Sequence, residues 1–460
     1  MQPKLDWNGK RVVILGGARQ GQAAARWFVR HGAIVTVNDR RSPEAMNTAR
    51  SALVDIPVTW VLGSHPVEIL DAADVLCISG GIPLDNPLVL AAVQRGLPLT
   101  NDTQIFMEVA PCRTIGITGS AGKTTTTTLV GQMAGIALGA KAFVGGNIGD
   151  PLLNYVDEMT PDALAILEIS SFQLEQMTIS PNIAAVLNIT PNHLDRHGSM
   201  QAYTGAKRRI LKFQRAADTA VLNRSDSGSW NLRPDVRGRL VSFGSGALPS
   251  DQEGTYLADG LLNMHQQGVE IPLLRQDQIR LRGEHNVMNV LAAFATGFAA
   301  GLPLDAMLTA VQEFRGVAHR LEFVREWNGV QWYNDSIATA PERTMADIHS
   351  FTEPIVLLLG GRDKNLPWDE LAGLVRQRVE HVVLFGEAAG KIASALDQAA
   401  GPLPLTLDRC QGLQEAVQTA ARVAKPGSIV LFSPGGTSFD QFEDFEQRGK
   451  AFRKWVSELS

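Results

Sequence analysis

A glycine-rich turn in the first third of the chain carries residue types that can hold a triphosphate. The segment ITGSAGKTT covers residues 117–125. Gly119 and Gly122 permit a tight turn whose backbone N–H groups surround phosphate oxygens, and Lys123 adds a positive charge. Thr124 offers a hydroxyl to Mg²⁺ at the start of a helix whose positive end faces the anion. The common pattern G-x-x-x-x-G-K-[ST] fails because residue 117 is Ile, but the shorter T-G-x-x-G-K-T-T is present.

The segment LEISSFQLE (167–175) places an acid, Glu168, inside an otherwise apolar run. A carboxylate is costly there unless it is paired or bound to a metal. In nucleotide enzymes, the second strand after the phosphate turn often brings an acid to Mg²⁺. A carboxylate that faces solvent at the end of the strand is the alternative.

Polar and basic residues also crowd the segment NITPNHLDRHGSMQAYTGAKRRIL (188–211). His193 lies in the loop that follows a predicted strand, and it is equally compatible with a ligand and with an ordinary loop histidine. His197 is predicted to be a surface histidine. Lys207 lies on a helix beside two arginines, which by itself is typical of a solvated basic face.

Three further features are weak when taken singly. Arg320 precedes a predicted strand and Asp335 ends the next one, so they could contact a phosphate or a ribose. Asn286 and Asn289 are three residues apart and share a helix face. The turn ILGGARQGQ (14–22), followed by Asp39, resembles the dinucleotide fingerprint G-x-G-x-x-G but has Ala18 at the second glycine. It predicts a Rossmann-like nucleotide turn, with NAD as one candidate.

The elements that must position these residues follow an α/β pattern. Apolar runs of strand length alternate with helix-length segments, and 460 residues provide room for about three domains. We predict domains at 1–102, 103–315 and 316–460, with residues 226–282 as a small antiparallel patch or long loops. Ligands are expected at the carboxyl ends of the parallel strands.

Composition excludes several classes of protein. Lys plus Arg is 42 and Asp plus Glu is 47, so the net charge of −5 disfavours a protein that coats nucleic acid or anionic membrane. Three widely spaced cysteines exclude a disulfide framework and a cysteine-based zinc site. Neither a signal peptide nor a membrane-spanning run is apparent. We therefore expect a cytoplasmic enzyme without nucleic-acid or membrane partners.

Taken together, these motifs resemble those of the Mur ligases, and the resemblance covers nearly the whole chain in order. It also includes AHRLEF, NDSIAT, GGRDKN and SPGGTSFDQFEDFEQRG. Within the family, the member that adds glutamate is the most similar. The resemblance implies a Rossmann-like UDP-binding N-terminal domain, a central phosphate-loop ATPase domain and a Rossmann-like C-terminal domain. It implies ligation of D-glutamate to UDP-MurNAc-L-Ala with ATP, through an acyl phosphate, by a protein that we expect to be a monomer.

The resemblance also implies roles for particular residues. Catalysis is expected to involve Lys123, Glu168, His193 and Lys207. Two Mg²⁺ ions are expected to be held by Thr124, Glu168, His193 and Lys207, the lysine being carbamylated by CO₂. ATP is expected to contact Gly119, Ser120, Ala121, Gly122, Lys123, Thr124, Thr125, Asn286, Asn289, Arg320 and Asp335. The UDP-sugar is expected to contact Arg19, Gln20, Asp39, Arg40, Asn147 and Ser170. Glutamate is expected to contact Thr339, Lys364, Ser438 and Phe445.

The sequence departs from the family pattern at three positions. The usual D-S-K-A-T-N has Ile337 in place of lysine and Ala340 in place of asparagine, and Ala121 stands where asparagine is usual. Arg343 could replace the missing cation. The alternatives that stay open are a ligase for L-glutamate or another amino acid, a folylpolyglutamate synthetase, a nicotinamide oxidoreductase and a non-catalytic nucleotide-binding regulator.

Overall fold

The computed structural model describes residues 6–401 and 405–459. Within these residues the strands form three sheets, of five, nine and six strands. The chain divides into two compact units, Met1–Arg280 with Glu284–Glu313, and Leu281–Gly283 with Phe314–Ser460. The first two sheets lie in the first unit and the third sheet lies in the second. The predicted α/β class is confirmed.

The N-terminal sheet is parallel throughout, with strand order β3-β2-β1-β4-β5. Its direction of winding reverses between β1 and β4, where doubly wound sheets bind ligands. The turns that follow these two strands lie side by side, and the Ser79 hydroxyl donates to the Gly16 carbonyl over 2.9 Å. The strands are β1 Arg11–Leu15, β2 Ile34–Asp39, β3 Val58–Leu62, β4 Val75–Ile78 and β5 Leu99–Thr100. The helices are α1 Arg19–Arg30, α2 Asn47–Ser51, α3 Pro87–Gln94 and α4 Asp102–Val109.

The middle sheet has the order β14-β13-β12-β11-β10-β9-β6-β8-β7. The strands from β7 to β12 in this order pair in parallel, while β12, β13 and β14 pair antiparallel. The antiparallel patch predicted within residues 226–282 is therefore confirmed for β12, β13 and β14, whereas β11 in the same segment pairs in parallel. The strands are β6 Arg113–Thr118, β7 Ala142–Gly146, β8 Leu164–Glu168, β9 Ile183–Val186, β10 Thr219–Asn223, β11 Arg239–Ser245, β12 Glu253–Ala258, β13 Leu261–Gln266 and β14 Val269–Arg275. The helices are α5 Lys123–Leu138, α6 Ser171–Leu174, α7 Leu194–His197, α8 Met200–Lys212, α9 Ser227–Trp230, α10 Glu284–Ala300 and α11 Leu304–Glu313.

Apolar packing and hydrogen bonds join the first two sheets. One core cluster includes Trp27 and Phe28 of α1 together with Leu152 and Leu153, which follow β7. Near the start of α4, the Gln173 side-chain amide donates to the Thr103 hydroxyl over 2.7 Å. The N-terminal sheet is therefore fixed relative to the end of β8, where Glu168 lies.

The sheet of the second unit has the order β15-β16-β20-β17-β18-β19, with only the β15–β16 pair antiparallel among its described strands. Buried clusters cover both of its faces. The strands are β15 Glu322–Trp327, β16 Val330–Asn334, β17 Ile355–Gly360, β18 Val379–Phe385, β19 Thr406–Arg409 and β20 Ile429–Gly435. The helices are α12 Pro341–His349, α13 Asp369–Arg378, α14 Ala389–Gln398, α15 Leu413–Val423 and α16 Phe445–Ser457. Across the described ranges, no helix has both the length and the apolar character needed to cross a bilayer.

Candidate active site

The phosphate turn joins β6 to the N-terminus of α5. Gly122 caps the helix with φ of +81°, a conformation that favours glycine, and a Cβ there would lie 2.2 Å from the Asn289 side-chain oxygen. Asn289 is therefore packed directly against the turn. Its amide donates to the Asn286 side chain over 2.9 Å, so the structure brings both predicted asparagines to this turn.

Residues that follow β9 brace the turn, which the sequence reasoning did not anticipate. The Ala121 N–H donates to the Asn188 side-chain oxygen over 2.8 Å, and the Asn188 amide returns a bond to the Ala121 carbonyl. The Ser120 hydroxyl donates to the Thr190 carbonyl and also lies 3.0 Å from the Tyr203 hydroxyl. The available signal was the position of Asn188 and Thr190 just beyond a central strand.

Two lysines meet on one backbone oxygen of the turn. Lys123 Nζ and Lys207 Nζ each lie 2.9 Å from the Gly119 carbonyl oxygen. Lys207 is 1% exposed, so the solvated basic face predicted from its neighbours alone is wrong for this side chain. Burial, and then the charge of Lys123, lower the pKa of Lys207 well below its usual value, although Glu168 opposes this.

Glu168 is buried at the end of β8, beside β6, and its Cα partner in the sheet is Ile117. Its carboxylate accepts from the Thr124 hydroxyl over 2.8 Å and from the Asn147 amide over 2.9 Å. The alternative of a carboxylate facing solvent is therefore wrong. Asn147, predicted as a UDP-sugar contact, also bonds the acid that was predicted to hold a metal.

His193 lies at the edge of this cluster. It caps the N-terminus of α7 in a left-handed conformation with φ of +53°, and its ring lies 5.2 Å from the Phe172 ring. Its neighbour Tyr203 lies under the Lys207 amine, with Nζ 4.8 Å from the ring centroid. His197 is not a surface histidine as predicted, because its side chain is 1% exposed and contacts Ser171 and Glu175.

The predicted UDP-sugar residues lie at or just beyond the carboxyl ends of β1, β2, β7 and β8. Asp39 accepts from the Gly17 N–H and forms an ion pair with Arg41, rather than with the exposed Arg40. Burial alone would raise the pKa of Asp39, but the bonds from Arg41 and Gly17 lower it to about 2. Arg19 begins α1, and the adjacent Gln20 accepts from the Gly80 N–H over 3.3 Å.

Ser170 caps the N-terminus of α6. It exchanges hydrogen bonds with Gln173, which completes a capping box immediately after Glu168. The cap fixes the direction in which the chain leaves β8. Ser170 therefore lies beside the acid, with its hydroxyl already engaged.

In the second unit, two of the predicted glutamate contacts meet. Lys364 Nζ donates to the Thr339 hydroxyl over 3.1 Å, whereas Ser438 is buried and Phe445 begins α16. Arg448 joins the loops that carry these residues, because it donates to the Ser336 carbonyl and hydroxyl and to the Gly436 carbonyl.

The two predicted nucleotide contacts of the second unit differ in exposure. Asp335 is 3% exposed, accepts from the Leu321 N–H over 2.6 Å and shares a hydrogen bond with Asp347. Arg320 is partly exposed. Their contact with a nucleotide stays a prediction.

The cluster around the phosphate turn fits a metal ion that binds together with a triphosphate. Among the described residues, no group of three or more His, Cys, Asp or Glu side chains could hold a metal. Thr124 and Glu168 nevertheless place a hydroxyl and a carboxylate 2.8 Å apart beside the turn. Mg²⁺ commonly takes only one or two protein carboxylates and completes its shell with phosphate oxygens and water.

Comparisons with known proteins agree with this arrangement. Profiles described as Mur ligase MurD-like N-terminal domain, Mur ligase middle domain and Mur ligase glutamate ligase domain match residues 10–101, 117–297 and 319–436. The UDP-N-acetylmuramoylalanine–D-glutamate ligase of Symbiobacterium thermophilum is 40% identical over 98% of this chain and 98% of its own length. The corresponding ligase of Acidobacterium capsulatum is 39% identical over 98% and 97%. The chain belongs to the Mur ligase family, as predicted.

Solved structures of other Mur ligases have the same fold. The UDP-N-acetylmuramate–alanine ligase of Thermotoga maritima aligns over 98% of this chain and 100% of its own, with a TM-score of 0.56 at 19% identity. MurF of Acinetobacter baumannii aligns over 96% and 93%, with a TM-score of 0.56 at 17% identity. The match to an N-terminal ligase domain also places residues 10–101 in a ligase rather than in a redox domain.

Proposed function

We propose that this protein joins D-glutamate to the alanyl carboxyl group of UDP-MurNAc-L-Ala and converts ATP to ADP and phosphate, in the cytoplasm, during peptidoglycan precursor synthesis. The observation that carries the proposal is the cluster of Lys123, Glu168 and Lys207 around one phosphate turn. The likeness to D-glutamate ligases over 98% of the chain supports the choice of substrates. We further propose that the protein acts as a monomer, with UDP-binding, ATP-binding and amino-acid-binding domains at 1–102, 103–315 and 316–460.

In the first step, an oxygen of the alanyl carboxylate attacks the γ-phosphorus of ATP. The bond from that phosphorus to the bridging oxygen breaks, and ADP leaves with the electron pair. Because two anions must meet, positive charge and positioning supply most of the catalysis. The Lys123 ammonium and the backbone N–H groups of residues 119–124 hold the outer phosphates, while Asn286 and Asn289 support the turn and the nucleotide.

Mg²⁺, when bound, supplies the positive charge that neutralises phosphate oxygens in this step. Thr124 and Glu168 are the residues that would hold one ion. His193 and a carbamylated Lys207 would hold the second. A carbamate is an oxygen donor, which is the ligand type that this hard cation prefers.

Lys207 suits carbamylation because only a neutral amine attacks CO₂. Its amine is buried, its hydrogen bonds go to the Gly119 carbonyl and the Thr118 hydroxyl, and its pKa is lowered. The nitrogen forms a bond to the carbon of CO₂ and loses one proton. A neutral amine is thereby replaced by an anion beside Lys123.

The N-terminal domain is proposed to bind the UDP group of the substrate. Arg19, Gln20, Asp39 and Arg40 surround the turn at the point where the winding of the sheet reverses. Arg41 holds Asp39 in place through a 2.7 Å ion pair. Asn147 and Ser170, beside Glu168, would bind the sugar end and bring the alanyl carboxylate to the phosphate turn.

In the second step, the amine of glutamate attacks the acyl carbon, phosphate leaves and the nitrogen gives up a proton to solvent. Glutamate brings two carboxylates, so its pocket needs positive charge and hydroxyl donors. Lys364, Thr339 and Ser438 supply them. Phe445 would pack against the aliphatic part of the amino acid.

The proposal is tested by phosphate release with chirally pure amino acids, UDP-MurNAc-L-Ala and ATP. We expect release with D-glutamate, and loss of release in Lys123→Ala that remains folded by circular dichroism. Release with L-glutamate alone would refute the choice of D-glutamate. Binding of NAD(P)H without any phosphate release would favour an oxidoreductase instead.

A further inference from the structure

The short helix α7 carries His193 but cannot be held by its own backbone. It has four residues, and a left-handed residue stands at each end, His193 with φ of +53° and Gly198 with φ of +74°. Isolated helices of this length are not stable, because nucleation costs more than the few hydrogen bonds return. Side-chain contacts must therefore fix the orientation of His193.

The residues of α7 pack against the side chain of Phe172. Its ring is stacked on the His197 ring at 5.2 Å and 6°, and the Arg196 guanidinium lies 3.9 Å above it. Arg196 also donates to the Gly81 carbonyl of the N-terminal domain. These contacts keep α7 close to Phe172. Stacking between two rings has little directional preference within the ring plane, so it does not by itself fix where α7 lies along the Phe172 ring.

His197 supplies one directional contact and one close contact. Its Nε2 lies within hydrogen-bond distance of the Ser171 hydroxyl, at 3.0 Å, and its Nδ1 lies 2.9 Å from Glu175 Oε1 without the geometry of a hydrogen bond. Ser171 begins α6 and Glu175 follows its last residue, so one ring joins α7 to both ends of the helix that follows Glu168. The His197 ring also contacts Tyr203, with ring centroids 5.1 Å apart, and the Tyr203 ring in turn contacts the Lys207 amine.

A serine, a histidine and a glutamate at these distances also resemble a hydrolase triad. Ser171 is 3% exposed and the His197 side chain is 1% exposed, so an acyl donor has no access to the hydroxyl. Glu175 is the exception, because its side chain is 27% exposed. The arrangement is therefore suited to holding two helices together.

We propose that His197 is a positioning residue which, through Ser171 and Glu175, fixes His193 relative to Glu168 and Lys207. The inference rests on the proposed function, because the position of His193 matters only if this residue holds the second Mg²⁺ ion. Neither ring nitrogen of His197 needs to exchange a proton during the reaction. Its contribution is to keep the second ion site assembled before substrates arrive.

The test compares His197→Phe, which keeps the stacked ring but removes both nitrogens, with a matched variant, His265→Phe. His265 is buried on β13, near the other end of the sheet, and its Nδ1 lies 2.6 Å from the Gln252 carbonyl. We expect His197→Phe to lower kcat about 10–100-fold and to raise the half-saturating Mg²⁺ concentration about tenfold, as loss of such supporting partners usually does. The KM for ATP and all parameters of His265→Phe should stay near wild type.

A readout without turnover is the number and affinity of Mn²⁺ ions bound in the presence of a non-hydrolysable ATP analogue, measured by electron paramagnetic resonance. We expect His197→Phe to weaken the second ion but not the first. Wild-type Mn²⁺ binding and kcat in a folded His197→Phe would overturn the inference, as would equal losses in His265→Phe at the same melting temperature. If His197→Phe does not fold, Glu175→Ala takes its place. We expect Glu175→Ala to weaken binding of the second Mn²⁺ ion at least about threefold, and wild-type binding in this variant would overturn the inference. A wild-type protein that ligates no amino acid refutes the proposed function, whereas the Mn²⁺ titration still tests this inference.

Discussion

Asp102, in the first turn of α4, is a buried carboxylate whose charge should cost stability at neutral pH. It is 5% exposed, and its Oδ1 has no hydrogen-bond partner among the described residues. Burial raises its pKa from the usual 3.8 to about 7, although backbone N–H groups at the helix start oppose the shift. Its neighbours Asn101 and Thr103 bond Gln173, so this turn joins the first two sheets.

The sign and size of the effect follow from linkage. A group whose pKa is higher in the folded state binds its proton more tightly there, so folding is disfavoured as pH rises from 3.8 to 7. Each pKa unit corresponds to about 1.4 kcal/mol, and a shift of about three units therefore gives about 4 kcal/mol. Above pH 7 both states are ionised and the cost is constant. Asp102→Asn removes the charge and should remove this pH dependence.

Urea unfolding followed by tryptophan fluorescence measures the effect, because Trp7 and Trp27 lie in the core of this domain. The free energy of unfolding of Asp102→Asn minus that of wild type should rise between pH 4 and pH 7 and then level off. Asp71→Asn is the control, because it removes a carboxylate from the same domain whose side chain is 65% exposed instead of buried. Parallel pH curves for Asp102→Asn and wild type would refute the reasoning.

Three further predictions concern the site. Gly122→Ala adds a Cβ at positive φ and against Asn289, and the backbone conformation alone costs about 1–2 kcal/mol. We expect this variant to bind an ATP analogue at least about tenfold more weakly by calorimetry. The control is Gly135→Ala on the same helix, whose added Cβ meets nothing within 4 Å and which should bind the analogue normally. Lys364→Met should raise the KM for glutamate about 10–100-fold with little change for ATP, because a charged hydrogen bond is worth about 1.5–3 kcal/mol, and equal effects on both substrates would count against its role. Wild-type protein in ¹³C-bicarbonate should give a carbamate carbonyl resonance that Lys207→Met lacks, and the same spectrum from both would exclude a carbamate at Lys207.

The central strands could be predicted from sequence, and the edge strands could not. β1, β6, β8 and β17 are apolar runs because helices cover both faces of a parallel sheet. The strands β3, β5 and β7 lie at sheet edges, and their sequences carry no such run. β3 has no fully buried residue, β5 has two residues, and β7 ends in two glycines. One neighbour and partial exposure leave an edge strand without a continuous apolar signal.

The local part of the site was also predictable, because the turn and the acid are set by spacing along the chain. The burial of His197 was not, since its partners Ser171 and Glu175 are more than twenty residues away and its own neighbours are polar. The ion pair between Arg41 and Asp39 was not predicted either, for a different reason. The chain turns back after β2, and the Arg41 N–H and guanidinium both reach Asp39, a direction that sequence does not encode.

The charges near the proposed glutamate pocket explain how it could work without the lysine that Ile337 replaces. Burial first, and then the charge of Asp335, raise the pKa of Asp347 well above its usual value, which disfavours two negative charges on this carboxyl pair. Asp363 is neutralised by Lys391. The hydrogen bond of Lys364 goes to a neutral hydroxyl, that of Thr339. Since this partner carries no charge, the Lys364 ammonium keeps its positive charge for the carboxylate of the proposed substrate.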